Sequence, residues 1–174
     1  MRSDTTAEGL ANLKPAFDEG GTVTAGTSSP LTDGAAATLV CSEEYAERTG
    51  LKPLARIKSI AVAGCAPEIM GIGPVHATRK ALERANLAIG DIDVTELNEA
   101  FASQALACMR DLDLDGAKVN LDGGAIAFGH PLGATGARIT GKAAALLQRE
   151  GGRYALSTQC IGGGDRKSTR LNSS

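Results

Sequence analysis

Between residues 55 and 159 the sequence alternates short segments rich in β-forming residues with longer segments that have the periodicity of helices. The predicted strands are 55–63, 93–96, 118–121 and 153–159, and the predicted helices are Pro74 to Ala85, Asn98 to about Leu112, and 133–149. Strands that alternate with helices indicate an α/β fold built in layers.

The composition limits both the core and the kinds of partner. The 174 residues are enough for a domain with a buried core, but aromatic residues make up only 3% and Trp is absent. The core is therefore expected to consist of small aliphatic residues with close backbone packing. A net charge of −2 argues against nucleic acid or an anionic membrane surface as a partner.

The sequence shows few signals for targeting, membrane insertion or disulfide formation. No apolar run reaches the roughly 20 residues that cross a bilayer, and no signal peptide is visible at the first residues. The four cysteines lack CxxC spacing, which favours a reducing compartment and gives no metal site. We expect a cytoplasmic protein with no membrane span.

The two ends of the chain differ in composition from its middle. Residues 1–33 are rich in loop-forming residues, with one short helical candidate at about 5–14. Asp33 is a good N-cap for a predicted helix over 34–48 that Gly50 would end. Residues 165–174 include only one apolar residue, so we expect this tail to be disordered.

Two reactive side chains are framed by glycines. His130 lies between Gly129 and Pro131, and Cys160 is followed by three glycines at 162–164 after Ile161. Glycines let a backbone approach a ligand closely, and a thiol in such a turn can act as a nucleophile or a proton carrier. A neutral imidazole at 130 could activate a thiol or stabilise an oxyanion, although each residue alone is also compatible with a structural role.

Asn98 and Phe101 form the third candidate pair. Asn98 begins a predicted helix, where an N-cap role is the structural alternative to an amide that holds water in an oxyanion hole. Phe101 lies one turn further along and could form the wall of an acyl or pantetheine pocket, or simply pack in the core. The remaining cysteines, at 41, 65 and 108, match no motif and are expected in the core.

Taken together and in this order, the segments Asn-Glu-Ala-Phe at 98–101, Gly-His-Pro-Leu-Gly at 129–133 and Cys-Ile-Gly-Gly-Gly at 160–164 resemble the three carboxy-terminal signatures of the thiolase family. The resemblance extends from about Arg2 to Gly164. It implies a thiolase-like layered fold, with a mixed sheet covered by helices. It also implies a division into the end of a loop and CoA-binding region at 1–33, a carboxy-terminal domain at 34–164, and a tail at 165–174 outside the family pattern.

The resemblance implies a set of catalytic roles. Thiolases cleave a 3-ketoacyl-CoA with free CoA, and their nucleophilic Cys belongs to an amino-terminal half that these 174 residues do not include. His130 would activate that Cys and, with a water held by Asn98, stabilise the thioester oxyanion. Cys160 would protonate the leaving enolate and then deprotonate CoA, while the Gly162 N–H would contribute to a second oxyanion hole.

The same resemblance implies the ligands. Coenzyme A is expected as a substrate, with no bound cofactor and no metal, and the full-length protein is expected to be a homo-oligomer. The residues expected to contact CoA, in addition to Phe101, are Arg2, Phe17, Ala25 and Ser29.

Several alternatives stay open at this point. The chain could derive from a fatty-acid-degrading acyltransferase or from a biosynthetic acetoacetyl-CoA thiolase. A ketosynthase-type condensing enzyme of the same fold is disfavoured, because that class uses a Cys and two His. A non-catalytic truncated product, or a module that associates with another chain, is the third possibility.

Overall fold

The computed structural model describes residues 3–162 and the backbone of residues 167–172. The helices are α1 Ala7–Ala11, α2 Glu43–Thr49, α3 Gly73–Ala85, α4 Ala102–Leu112, α5 Ala125–Phe128 and α6 Thr135–Arg149. The strands are β1 Arg56–Val62, β2 Val94–Leu97, β3 Tyr154–Gln159 and β4 Lys167–Asn172. Between them, within residues 3–162, 3₁₀ turns lie at Ala25–Thr27, Pro67–Ile72, Ile89–Asp91 and Gly116–Lys118.

The four strands form one mixed sheet in the order β1-β4-β3-β2. Strands β2 and β3 are parallel neighbours, and β4 runs antiparallel to both β3 and β1. The connection between the parallel strands β2 and β3 includes α4, α5 and α6, as a parallel pair requires a long crossover. The expected α/β architecture with a mixed sheet is confirmed.

Helices cover both faces of the sheet. On one face, Val94 and Ala155 pack against Ala143, Ala144 and Leu147 of α6. On the other face α3 and α4 pack against the strands through two further clusters of buried residues. The residues of those clusters are Val75, Leu97, Ala105, Cys108 and Leu112, and Leu82, Ile92 and Leu156. The core therefore consists of small aliphatic side chains, as the scarcity of aromatic residues predicts.

Two predicted helix boundaries are confirmed and one is wrong. Gly50 ends α2 in the left-handed conformation with φ 69°, and Pro74 lies in the first turn of α3. However, the N-cap of α2 is Ser42 and not Asp33. The Ser42 hydroxyl accepts a hydrogen bond from the Tyr45 N–H. Residues 33–42 have no regular structure and are exposed, so within the described part of the chain they pack against no strand.

Two predictions near the motifs also need correction. Helix α4 begins at Ala102 with Phe101 as its N-cap, because the backbone of Asn98 still pairs with β3. Asn98 is therefore not an N-cap. The predicted strand at 118–121 is a turn that forms one isolated bridge, between Val119 and Thr95.

The expectation of disorder in the tail is wrong for residues 167–172, which form β4 in the middle of the sheet. Backbone hydrogen bonds on both sides, to β1 and β3, hold a segment whose composition alone gives little reason to be ordered. The rest of the predicted tail, residues 165, 166, 173 and 174, lies outside the described residues.

Candidate active site

Two of the three motif segments follow neighbouring strands. Leu97 and Thr158 are partners in the parallel pair of β2 and β3, and the Asn98 N–H donates to the Thr158 carbonyl oxygen at 3.0 Å. Because parallel strands end at the same edge of a sheet, Asn98 and Cys160 lie at a common edge. Both are buried, with 1% of Asn98 and 6% of Cys160 exposed.

The side-chain amide of Asn98 has no hydrogen-bond partner among the described protein atoms. Both its oxygen and its nitrogen are buried, so their hydrogen-bonding capacity is not used within the fold. Buried amides are nearly always hydrogen-bonded in folded proteins, since an unpaired buried polar group costs about 1–3 kcal/mol. This observation favours a ligand or water as the partner of Asn98.

The His130 imidazole is oriented by the first residue of α6. Its Nδ1 lies 2.7 Å from the Thr135 hydroxyl, and that hydroxyl donates its proton to the Pro131 carbonyl oxygen at 2.9 Å. A hydroxyl has one proton, so Nδ1 must be the donor to Thr135, which leaves Nε2 as the acceptor. Burial, and secondarily the positive charge of Arg138, lowers the pKa of His130 and favours the neutral ring.

Residues 28–32 connect the Asn98 and His130 loops. Ser29 donates from its N–H and its hydroxyl to the Ala100 carbonyl oxygen, at 3.0 and 3.3 Å. The His130 N–H donates to the Pro30 carbonyl oxygen at 3.4 Å, and Leu31 forms a bridge with His130. This segment thereby holds two loops that are about thirty residues apart in sequence side by side.

The structure brings together three of the residues expected to contact CoA. The rings of Phe17 and Phe101 meet edge to face with 6.2 Å between their centres, and Phe17 is 79% exposed. Ser28 forms a backbone bridge with Phe101, and Ser29 bonds to Ala100, so Ser29 lies next to the backbone of the segment that carries Phe101. Ala25 is exposed in the turn that precedes this segment, and Arg2 lies outside the described residues.

Cys160 directly follows β3 at the edge of the sheet. The nearby α6 begins with Thr135 and Gly136, and a side-chain carbon added at Gly136 would lie 3.6 Å from the Gln159 amide. The start of α6, which orients His130, therefore lies against the end of β3, which carries Cys160. Gly162 is exposed, and an added side-chain carbon there would meet no atom within 4 Å.

The other cysteines only partly match the expectation that they lie in the core. Cys108 is buried, and burial raises the pKa of its thiol to about 11. Cys65 is only partly buried and Cys41 is exposed, so the expectation is wrong for Cys41. Cys41 lies in residues 33–42, which have no regular structure.

Sequence reasoning missed two carboxylates close to the motifs, of which Glu99 is partly buried and Glu96 fully buried. Glu99 bonds to the loop before His130, and Glu96 is 1% exposed inside β2. Burial raises the pKa of Glu96 to about 7, against the attraction of Lys142 and Arg138. An acidic residue inside a short apolar strand segment was the signal that could have identified Glu96.

In residues 3–162 no group of three or more His, Cys, Asp or Glu side chains has the arrangement of a metal site. Among the described helices, none has both the length and the apolar character needed to cross a membrane.

The fold and the motif geometry define an α/β protein with thiolase signatures at one edge of its sheet, and family comparison agrees. The model of the thiolase C-terminal domain matches residues 51–173, and that of the thiolase N-terminal domain matches residues 1–44. The chain belongs to the thiolase family.

Curated relatives of similar sequence are 3-ketoacyl-CoA thiolases. The chain is 59% identical over 166 residues to a 3-ketoacyl-CoA thiolase of Marinobacter nauticus, and 57% identical to that of Salmonella typhimurium. The match covers 93% of this chain, but 42% of the Marinobacter protein and 43% of the Salmonella protein. The chain therefore spans less than half the length of the curated relatives it matches.

Solved structures give the same result. Human mitochondrial 3-ketoacyl-CoA thiolase superposes with a TM-score of 0.93 at 46% identity, covering 99% of this chain and 44% of the human one. The acetyl-CoA acetyltransferase of Bacillus anthracis gives a TM-score of 0.97 at 48% identity, with the same coverage. Another structure of the human enzyme contains CoA.

Proposed function

We propose that this chain is the carboxy-terminal part of an acyl-CoA C-acyltransferase that converts a 3-ketoacyl-CoA and CoA into acetyl-CoA and a shortened acyl-CoA in fatty-acid degradation. The observation that carries the proposal is the pairing of a neutral, Thr135-oriented His130 with a buried Asn98 amide that has no protein partner. The names of the relatives support the substrate class.

In the proposed first half-reaction, His130 Nε2 takes the proton of a nucleophilic Cys supplied by the part of the protein outside this chain. The thiolate attacks the 3-keto carbon, and the bond between carbons 2 and 3 breaks. The electron pair passes to acetyl-CoA as an enolate, whose thioester oxygen is stabilised by His130 and by a water that Asn98 holds, while the Gly162 N–H and the nucleophile's own N–H stabilise the oxygen of the attacked carbonyl. Cys160 donates a proton to the enolate carbon and becomes a thiolate.

In the second half-reaction, the Cys160 thiolate takes the proton of the incoming CoA thiol. The CoA sulfur attacks the acyl-enzyme thioester, the bond between the acyl carbon and the nucleophilic Cys sulfur breaks, and the shortened acyl group leaves on CoA. The released Cys thiolate takes back the proton that His130 carries. The Gly162 N–H and the nucleophile's own N–H stabilise the oxyanion that forms on the oxygen of the acyl-enzyme thioester. A neutral imidazole is suited to both tasks of His130, since it can accept a proton from a thiol and donate a hydrogen bond once protonated.

We propose that CoA enters on the side of the exposed Phe17 ring, which with Phe101 and Ser29 forms one wall of its binding site. Arg2 and Ala25 are proposed as further contacts by family resemblance. CoA acts here as a substrate and not as a resident cofactor. We also propose a homo-oligomer for the full-length protein and a cytoplasmic location.

A biosynthetic acetoacetyl-CoA thiolase is the second candidate, since the Bacillus anthracis acetyl-CoA acetyltransferase superposes closely on this chain. The two candidates differ in acyl-chain length. Comparing thiolysis of acetoacetyl-CoA with that of a longer 3-ketoacyl-CoA separates them, because the second candidate should use only the short substrate efficiently.

The 174 residues alone are proposed to be inactive and of low stability. Several large apolar side chains between residues 31 and 40 are exposed, including Leu31 at 92%, Leu39 at 74% and Val40 at 69%. A mainly apolar groove of about 640 Å³ lies between this segment, residues 51–57 and α6. Exposed apolar area of this extent is typical of a surface that another part of a protein covers.

The test is thiolytic activity of the chain alone and mixed with the amino-terminal half of a thiolase. We expect activity only in the mixture, and its loss when the chain carries His130→Ala. A mixture that forms a folded complex but is as inactive as the His130→Ala control would reject the proposed function and favour the non-catalytic alternative.

A further inference from the structure

Glu99, the second residue of the Asn98 motif, has no task in the proposed reaction, yet its carboxylate is bound on two sides. One oxygen accepts a hydrogen bond from the Asn120 side-chain amide at 2.9 Å. The other accepts from the backbone N–H of Ile126 at 3.1 Å. Glu99 is partly buried, so both bonds are shielded from solvent.

On the first side, Asn120 is fixed to β2. The Asn120 side chain accepts from the Leu97 N–H at 2.9 Å and donates to the Leu97 carbonyl oxygen at 2.8 Å. Its own backbone N–H donates to the Thr95 carbonyl oxygen at 2.8 Å, and its φ of 49° is left-handed. These bonds hold Asn120 against β2, directly before Asn98.

On the second side, Ile126 belongs to α5, which leads through Gly129 directly to His130. The Glu99 carboxylate lies over Gly124, where a side-chain carbon would overlap it. Only glycine at 124 therefore permits this approach. The Glu99 carboxylate therefore links β2, which Asn98 follows, to α5, which lies just before His130.

We propose that Glu99 is a positioning residue, whose carboxylate clamps the α5 loop against the end of β2 and so sets the place of the His130 imidazole relative to the Asn98 amide. The inference rests on the proposed function, in which His130 and Asn98 act on one oxyanion. The clamp requires two acceptor oxygens. In a Glu99→Gln variant of nearly the same volume, one of the two donors faces an NH₂ group, so one bond is lost.

The chain offers a direct readout because it has two histidines, and His76 lies exposed on α3, outside this cluster. Titration of both imidazoles by NMR compares wild type with Glu99→Gln. A loosened α5 loop hydrates His130, so we expect its pKa to rise toward the ordinary value of an imidazole, while the exposed His76 serves as the internal reference in the same spectra. Glu43→Gln, which removes an exposed carboxylate paired with Arg56, is the matched control and should leave the titration of His130 unchanged.

A second readout separates positioning from binding. In the mixture with a thiolase amino-terminal half, Glu99→Gln should lower kcat by about tenfold or more and leave the KM for CoA within about twofold, because misplacement affects the reacting atoms and not the CoA wall. If the wild-type mixture is inactive, the proposed function fails, while the histidine titration still tests the clamp.

An unchanged His130 titration in a folded Glu99→Gln variant would overturn the inference. If Glu99→Gln does not fold, Glu99→Asp, which keeps both oxygens on a shorter side chain, takes its place and should shift His130 in the same direction. Loss of the folded state in both variants would assign Glu99 to folding and reject the positioning role.

Discussion

Gly129→Ala changes the residue directly before His130, and the structure gives two independent reasons for it to be destabilising. Gly129 has φ 96° and ψ 166°, a region that residues with a side chain rarely occupy. An added side-chain carbon would also overlap the Thr32 side chain near its attachment to the backbone. Thr32 cannot simply rotate away, because its hydroxyl donates to the Pro30 carbonyl oxygen at 2.8 Å.

The magnitude follows from adding the two effects. Backbone strain of this kind costs about 1–3 kcal/mol, and overpacking against a fixed neighbour costs about 1–3 kcal/mol. We expect a loss of about 4 kcal/mol in the free energy of unfolding. With a slope of about 2 kcal/mol per molar urea, the unfolding midpoint should fall by about 2 M.

Gly133→Ala provides the matched control for urea unfolding followed by circular dichroism. Gly133 is exposed four residues further on, and an added carbon there would meet no atom within 4 Å. This variant should be neutral or stabilised by about 0.4–1 kcal/mol, since alanine restricts the unfolded chain. If Gly129→Ala unfolds at the same urea concentration as Gly133→Ala, the reasoning from the Gly129 geometry is wrong.

Three further predictions use the buried polar groups and the cysteines. Burial raises the pKa of Glu96 from 4.5 to about 7, so its folded state keeps a proton that the unfolded state releases, and the free energy of unfolding falls as pH rises through this window. In Glu96→Gln this fall, which amounts to up to about 3 kcal/mol, should be absent when urea unfolding at about pH 4 is compared with unfolding at about pH 8. A variant whose stability changes with pH as the wild type's does would contradict the prediction. Asn120→Ala should cost about 2 kcal/mol more in thermal unfolding than Asn86→Ala, because both residues have positive φ but Asn120 also makes three side-chain hydrogen bonds. Equal losses would show that those bonds contribute nothing net. Iodoacetamide should alkylate the exposed Cys41 at least about 100-fold faster than the buried Cys108, as measured by peptide mass spectrometry, and equal rates would indicate an unfolded chain.

The candidate site was identifiable from the sequence because its reactive residues lie in short motifs with their own local geometry. His130 is placed by a glycine and a proline on either side, and Cys160 directly follows a strand, so neighbouring residues in the sequence already indicate their settings. The proposed chemical roles, however, depend on the resemblance of the motifs taken together. Each of these residues alone was also compatible with a structural role.

The supporting residues could not be found in this way, because their partners are distant in sequence. Glu99 binds Asn120 and Ile126 across more than twenty residues, and Ser29 binds Ala100 across 71. Side-chain periodicity contains no information about such pairs. The start of α4 was misplaced for a related reason, since the bond from Asn98 to Thr158 extends the pairing of β2 with β3 and delays the helix.

By itself the sequence determined the main alternation of strands and helices, a core of small aliphatic residues and the local settings of His130 and Cys160, because these depend on local periodicity, composition and glycine placement. Tertiary structure decided the order of strands, the ordering of residues 167–172 between β1 and β3, and the two-sided binding of Glu99. These features depend on backbone and side-chain hydrogen bonds between distant segments. Such bonds form only after the sheet has brought the segments together, so the local sequence does not predict them. Their energy can override the secondary-structure propensity of the residues involved.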